Sequence, residues 1–342
     1  MMKCLRIMQT ILLFSMNDMR RYKMRILVCV VIIFFIGFLS LDDIRSEPLE
    51  LQLKLISSFK DKGISQLIDF SSDVFACQYK KGYLLFSGNG KLLYIDKSDF
   101  SVLSSLQLNK GKGPGEYIGI SKIMTIDDYI YLYDYRLMRL LQFSEKSNEL
   151  SYIDTFNLNF QGALEACFEG GFFYFNSLVG TKKGYFPAVE VFDQNLNKIN
   201  TFLLEDLEIK TRQDIANHLG WFIQSPEYLY YISLGNGRIL KIDKKEHKIV
   251  QVGYQKRKLI NVNDNAKRKK VSVIAVAENR GKICSLYSSD EDGGFYYEIF
   301  AKDSLQCLGA GTLKIPQKKY LIINNTVLRF SHNKCILYRL TY

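Results

Sequence analysis

Short runs of aromatic and β-branched residues, each bounded by a tight polar turn, recur along the chain from about residue 80 to the end. Runs of this length, bounded by Gly, Asn, Asp and Ser, predict strands rather than helices. The first unit reads GYLLFS, GNG, KLLYID, KSDF and SVLSSLQL. The second has DDYIYLYD, RLLQFS and LSYIDTFNL. The third has GGFFYFN, AVEVFD and KINTFLL, and the fourth EYLYYIS, RILKID and KIVQVGY. The fifth has GKICSLYS, FYYEIFA and QCLGAGTL, and the sixth NTVLRFS and CILYRLTY, where the chain ends one strand short. Helical periodicity is weak; IKTRQDIANHLGWF (209–222) is the one candidate helix.

The units are copies of one another. GNGKLLYIDK at 88–97 matches GNGRILKIDK at 235–244, an offset of 147 residues. Equivalent strand ends at Ile95, Phe143, Phe192, Ile242 and Phe300 are 48, 49, 50 and 58 residues apart. Self-similarity at this period marks a solenoid or a propeller. The strand missing at the end has a donor at the start. Residues 49–55, LELQLKL, alternate apolar and polar as a half-buried strand does. Lent to the last unit, that strand closes the ring and leaves no sheet edge bare. Residues 49–342 number 294, twice the 147-residue offset. The expectation is an all-β chain, a six-bladed β-propeller closed by its N- and C-terminal strands. Seven blades are the rival count, because residues 205–226 have room for extra strands.

The first 48 residues stand apart. Ile26 to Leu41 is sixteen residues without a charge, preceded by Arg20, Arg21, Lys23 and Arg25 and followed by Asp42 and Asp43. This predicts a basic leader (1–25), a signal-peptide core or membrane anchor (26–41), a linker (42–48) and the propeller (49–342). Sixteen residues fall short of the ~20 that span a bilayer comfortably. The small-x-small cleavage pattern is poor near Phe38, Leu39 and Ser40, and Cys29 follows Val28 rather than a small residue, so a lipid-attachment cysteine is poorly supported. Met24 is an alternative start, which would leave a compact signal. Everything after Asp42 is expected outside the cytoplasm, membrane-anchored or released by cleavage.

Composition sharpens this reading. Hydrophobic residues make up 47% and aromatics 13%, with only 5 Pro, which excludes a disordered or collagen-like chain. Beyond residue 45 there are 39 basic and 32 acidic residues, a surplus of +7. On an exported protein that points to an anionic glycan, a lipid headgroup or an acidic envelope protein before nucleic acid. Past the leader, Cys77, Cys167, Cys284, Cys307 and Cys335 are odd in number, widely spaced and without a CxxC, so neither a disulfide framework nor a zinc site is expected.

Between the first two units runs NKGKGPGEY, 109–117. Its GxGPGEY string resembles the signature of exported six-bladed propellers common in Bacteroidetes, which are similar to TolB-like and NHL-repeat propellers. The resemblance spans roughly 49–342, and only this string is specific. It implies fold and export far more than activity. The string is not a nucleotide loop: no Lys-Ser or Lys-Thr follows, and Glu116 stands where GxGxxG has its third glycine. It offers Gly111, Gly113 and Gly115, free to take φ > 0, pinned by Pro114. Glu116 either accepts N–H groups of its own loop or faces a ligand.

In a four-stranded blade, the turn between strands two and three shares a face with the link to the next blade. Both GNG turns, the GPGEY loop and the basic stretch Lys256, Arg257, Lys258, Lys267, Arg268, Lys269 and Lys270 fall on that face. This cationic lip is the candidate binding surface. His218, His247 and His332 are unpaired at metal spacing, and His247 and His332 are expected to face solvent in polar hairpins. No HExxH or GxSxG occurs, and no cofactor or catalytic set is expected. SSDEDG at 288–293 fails the calcium-loop and Asp-box patterns and reads as a hairpin tip. Tyr129, Tyr131, Tyr133 and Tyr135 alternate on one strand face, as blade-to-blade packing requires. The expected function is therefore non-catalytic binding in the cell envelope. The alternative is an envelope glycan or lactone hydrolase or lyase, marked by paired carboxylates and a histidine at the ring axis.

Overall fold

A computed structural model describes residues 52–342, apart from 61–63, 70–73, 161–164, 183, 205–219, 226, 234–236, 255–270, 280, 290–294, 314–319, 324–325, 332–333 and 342. The leader, the apolar run 26–41, the basic stretch 256–270, His218, His332 and residues 290–293 of the SSDEDG tip lie outside the described residues, while Ser288 and Ser289 end a strand. Residues 49–342 form one compact unit.

The described residues form an all-β propeller of four-stranded antiparallel sheets. Five sheets are made of consecutive strands. The first holds β2 (Val74–Tyr79), β3 (Gly82–Ser87), β4 (Lys91–Asp96) and β5 (Val102–Gln107). The second holds β6 (Ile120–Ile126), β7 (Tyr129–Asp134), β8 (Arg139–Lys146) and β9 (Glu149–Asn157). The third holds β10 (Glu165–Glu169), β11 (Phe172–Thr181), β12 (Gly184–Phe192) and β13 (Lys198–Leu203). The fourth holds β14 (Gly220–Gln224), β15 (Tyr228–Ser233), β16 (Arg238–Asp243) and β17 (Lys248–Tyr254). The fifth holds β18 (Val271–Asn279), β19 (Lys282–Ser289), β20 (Phe295–Ala301) and β21 (Cys307–Leu313). The remaining sheet is composite: β22 (Tyr320–Ile323), β23 (Thr326–Ser331) and β24 (Lys334–Thr341) accept β1 (Gln52–Lys60) from the other end of the chain. Each first strand touches the first strand of the next sheet, and β22 touches β2. One four-residue helix, α1 (Ile64–Leu67), links β1 to β2. Among the described residues no helix is long and apolar enough to cross a membrane. Of the candidate helix at 209–222, the described end is strand: Gly220, Trp221 and Phe222 open β14.

Every outermost strand carries one β-bulge at the same point of its ladder. The skipped residues are Leu103, Ile153, Ile199, Val250 and Leu308 in the consecutive sheets, and Ile56 in the composite one. A bulge kinks and twists an edge strand, which spoils it as a template for further pairing. The recurrence at Ile56 identifies β1 as an outer strand by the same local geometry as its counterparts.

The hairpins between the third and fourth strands share a second device. Each of these hairpins holds positive φ: at Phe100, Leu196, His247 and Leu305 singly, and at Ser147 and Asn148 together. Phe100 and Leu305 are fully buried. Asp96, Asp193 and Asp243 close three of these hairpins by accepting the backbone N–H two residues on, at 2.7, 2.9 and 2.8 Å. Hydrogen bonds from Ser98, Asn197 and Glu246 hold these three carboxyls below their ordinary range. His247 follows the rule of its position rather than the polarity of its sequence. It is half-buried, its ring edge-on to Phe172 at 4.8 Å and 6.0 Å from Tyr174, which corrects the expectation of a solvent-facing histidine.

Sheets pack face to face through large flat side chains. Tyr131 meets Phe173 at 5.8 Å and Tyr133 meets Phe175 at 5.3 Å, while Tyr129 at the strand's start is 43% exposed. The alternating tyrosines of β7 thus form the face that packs on the third sheet, as the spacing predicted.

Candidate functional site

The turns between second and third strands and the links between sheets meet at one end of the ring. The N–H groups of Leu108, Leu158 and Leu204, each just past a fourth strand, donate to the carbonyls of Gly90, Met138 and Pro187. Three bonds of 2.8–2.9 Å tie the outgoing links of the first three sheets to the chain at or just past their second turns, and all three leucines are buried. The described ends of the basic stretch, Tyr254 paired with Arg238 and Val271 opening β18, lie at this same end.

The 109–117 loop is a folded object. Tyr117 donates to Asn109 O at 3.1 Å and its carbonyl accepts from Gly111, while its hydroxyl donates to Gly88 O at 2.9 Å. Glu116 turns inward: Oε2 accepts the Gly113 N–H at 2.7 Å. A methyl group on Gly111 would fall on that same oxygen, so a side chain there would push the Glu116 carboxylate off the Gly113 N–H. Gly115 is required by φ, +72°, and lies flat against the Tyr152 ring. Pro114 is exposed at the tip. Arg139, buried at the start of β8, donates to the carbonyls of Lys112 at 3.0 Å and Glu116 at 2.7 Å. The neighbouring Asp134 is fully buried and accepts four backbone N–H groups, from Ile118, Gly119, Arg136 and Leu137. Of the two readings of Glu116, this geometry matches a carboxylate that shapes its own loop. Beside it a cleft of about 240 Å³ opens between Leu106, Pro114, Glu116 and Tyr152. That is smaller than the usual ~300–1,000 Å³ of a small-molecule pocket.

Among the described residues, what remains outward on this end is positive. Lys110, Lys112, Arg136 and Lys182 are exposed there, while Asp134 and Glu116 are consumed by backbone donors. Arg136 lies over the Tyr135 ring, 5.7 Å from its centroid. The turns at the opposite end are mixed: Asp96, Asp127, Asp128, Asp193, Asp243 and Glu246 share them with exposed Lys80, Lys81, Lys97, Lys146 and Lys245. Arg136 and Lys182 escaped the sequence reading because each stands in a short turn between strands, and only ring topology brings them to the same end as Lys110 and Lys112.

Toward the axis, Lys122 of β6 and Glu165 of β10 form an ion pair between neighbouring sheets. Burial pushes the Glu165 carboxyl up, with Lys122 opposing; burial lowers Lys122, and the charge and hydrogen bond of Glu165 together with the neighbouring Cys167 and Cys77 more than offset it. Cys77 on β2 and Cys167 on β10 lie within the electrostatic reach of Lys122. Burial pushes the Cys77 thiol up to about 12 and Cys167 well above the ordinary thiol range, which leaves both protonated and unreactive at neutral pH. Cys77, Cys167, Cys284 and Cys307 are free thiols. Among the described residues no group of three His, Cys, Asp or Glu side chains is placed to hold a metal, and no histidine joins Glu165.

No family model matches the chain. No curated protein matches it either. Solved structures do. A Bacteroides fragilis protein named for its inferred export superposes with a TM-score of 0.58 at 15% identity, covering 85% of this chain and 95% of its own. The WD40 domain of Neurospora crassa Pan2 matches with a TM-score of 0.50 at 6% identity, covering 84% and 95%. At such identities the likeness is one of fold, and that fold is the β-propeller.

Proposed function

We propose that this chain is an exported six-bladed propeller of the TolB-like and NHL-like kind, closed by β1. In this reading residues 26–41 hold it at the membrane or direct its release, and it binds an anionic envelope partner without catalysis. The partner is an anionic glycan, a lipid headgroup or an acidic protein surface, engaged on the end of the ring that carries the turns and links. One observation carries the reading: among the described residues, exposed Lys110, Lys112, Arg136 and Lys182 stand on one end with carboxylates that already serve backbone N–H groups, while acids and lysines are mixed in the turns of the other. Such a field concentrates an anionic partner at one end and falls off within the Debye length. The basic stretch Lys256, Arg257, Lys258, Lys267, Arg268, Lys269 and Lys270 enters and leaves from the same end, and reinforces it. The GxGPGEY loop supplies a rigid floor, and the export inferred for the Bacteroides fragilis structural neighbour agrees with an extracytoplasmic address.

Replacing Lys110, Lys112 and Arg136 by Gln, alone and together with Lys256–Lys258 and Lys267–Lys270, tests this. Binding to anionic vesicles and to polygalacturonate at low salt is expected to fall stepwise with each set. Undiminished binding in the full variant would overturn the reading.

A further inference from the structure

The third sheet departs from its neighbours. β11 and β12 run ten and nine residues, against six for β3, β4, β15 and β16. The first strand, β10, pairs with β11 only as far as Asn176, and β13 pairs with β12 only as far as Ala188, with one further bond from Leu204 N–H to Pro187 O. Beyond that point Leu178, Val179, Gly180 and Thr181 pair with Pro187, Phe186, Tyr185 and Gly184 as a two-stranded ribbon. It rises from the positive end of the ring.

An isolated ribbon is marginal in water, so something must stiffen this one. Tyr185 does so. It is the cross-strand partner of Gly180, and its ring lies over that glycine, 3.5 and 3.8 Å from where a Cβ would stand. A glycine in a strand is weak because it has nothing to pack, and an aromatic laid across it restores the contact. At the same time Tyr185 remains 49% exposed, and Lys182, three residues before it in the turn, is exposed as well. At the ribbon's base, Phe186 and Pro187 are buried.

The geometry points to the β11–β12 ribbon as a recognition arm for an acidic polysaccharide, with Tyr185 the stacking platform and Lys182 the anion contact. A pyranose ring presents a face of polarised C–H bonds, which suits the negative face of a phenol ring. A uronate or sulfate group carried by that sugar is what a lysine in the same hairpin would pair with. A polyanion without sugar rings satisfies Lys182 and leaves Tyr185 unused. The preorganised ring costs little entropy on binding because Gly180 already holds it. This assignment rests on the anionic-partner reading of the same end of the ring and goes beyond it in naming the polymer class.

The test uses the full chain in a neutral detergent, with polygalacturonate, neutral dextran and polyglutamate of matched charge as probes. The wild type is expected to bind polygalacturonate more tightly than polyglutamate, and dextran hardly at all. Tyr185→Ala should weaken polygalacturonate binding about tenfold, at the upper end of what an aromatic contact contributes, and leave polyglutamate unchanged. Tyr185→Phe keeps a ring on Gly180 and should retain affinity, which separates loss of the platform from loss of the ribbon. Lys182→Ala should reduce the salt dependence for both polyanions. Equal binding of the two polyanions, or a Tyr185→Ala variant that binds polygalacturonate as the wild type does, overturns the arm while leaving an anionic partner in place. If the wild type binds neither polyanion, both readings fail together.

Discussion

Arg139 of β8 grips the backbone of Glu116 across a sheet boundary, its Nη2 2.7 Å from that residue's carbonyl while Nη1 holds the carbonyl of Lys112 at 3.0 Å. A planar guanidinium suits two carbonyls at fixed separation in a way that a single ammonium does not. Arg139→Ala leaves both acceptors without their donor in a buried position, and should cost about 2–3 kcal/mol. Arg139→Lys should recover less than half of that loss. A chemical denaturation series checks both, and equal stability of all three proteins would show that the clamp carries no weight.

The loop can also be tested from within. Gly111→Ala places a methyl group on the Glu116 carboxylate. Overpacking of this kind typically costs about 1–3 kcal/mol. Glu116→Ala removes the obstruction together with the bond to Gly113, so the double variant should be clearly more stable than the sum of the two single losses predicts. Strict additivity would mean that the two side chains do not meet.

At the axis, Lys122→Met strands Glu165 as a buried carboxylate with its ion-pair partner gone. Breaking such a pair by removing one member commonly costs about 3–5 kcal/mol, whereas replacing both members with apolar groups is often neutral. The Lys122→Met/Glu165→Leu protein should therefore melt above Lys122→Met alone. A double variant that melts lower would show that the pair does more than join two sheets.

His247 supplies a pH test. Burial against Phe172 and Tyr174 lowers its pKa from the ordinary 6.5, with Asp243 opposing. In the unfolded chain the imidazole gains its proton at about 6.5, before the folded chain does. Stability is therefore unaffected well above 6.5 and declines as pH drops through that value. His247→Phe puts an apolar ring where the first sheet has Phe100, so its melting temperature should fall less between pH 7 and pH 5 than that of the wild type. An equal fall in both would exclude His247 as the source.

The second, third and fourth strands were legible because each combines a buried aromatic or β-branched run with a turn of fixed chemistry. GYLLFS, KLLYID and KIVQVGY coincide with β3, β4 and β17 to the residue. First strands were not legible. VFACQY, ISKIMTI and EACFE mix small, polar and charged residues, because an inner strand packs on two neighbours and also borders the axis. The extended ribbon was hidden by Lys182, Gly184 and Pro187, residues that signal a turn wherever they stand. His247 misled for a related reason: EH between lysines looks solvated, and only the left-handed backbone at that position turns the ring inward. The positive end was half legible, since clustered lysines show in the sequence and isolated ones need topology to collect them.

Closure by β1 makes the strongest demand on stability. Its ladder with β24 runs from Gln52↔Thr341 to Lys60↔Lys334, interrupted once at Ile56, and among the described residues nothing else joins the two ends of the chain in one sheet. A protein beginning at residue 61 would expose the full edge of β24 and separate the composite sheet from its outer strand. Bare edges pair with whatever they meet, so this protein should melt at lower temperature and aggregate on heating. A synthetic peptide of residues 52–60 added in excess should restore part of the lost melting temperature by mass action. A variant with Ile56 deleted isolates the bulge: the pairs on either side stay in register and keep their faces while the kink is lost, and a smaller loss than that of the truncated protein is expected. Unchanged melting in the truncated protein would mean that the ring holds without its clasp.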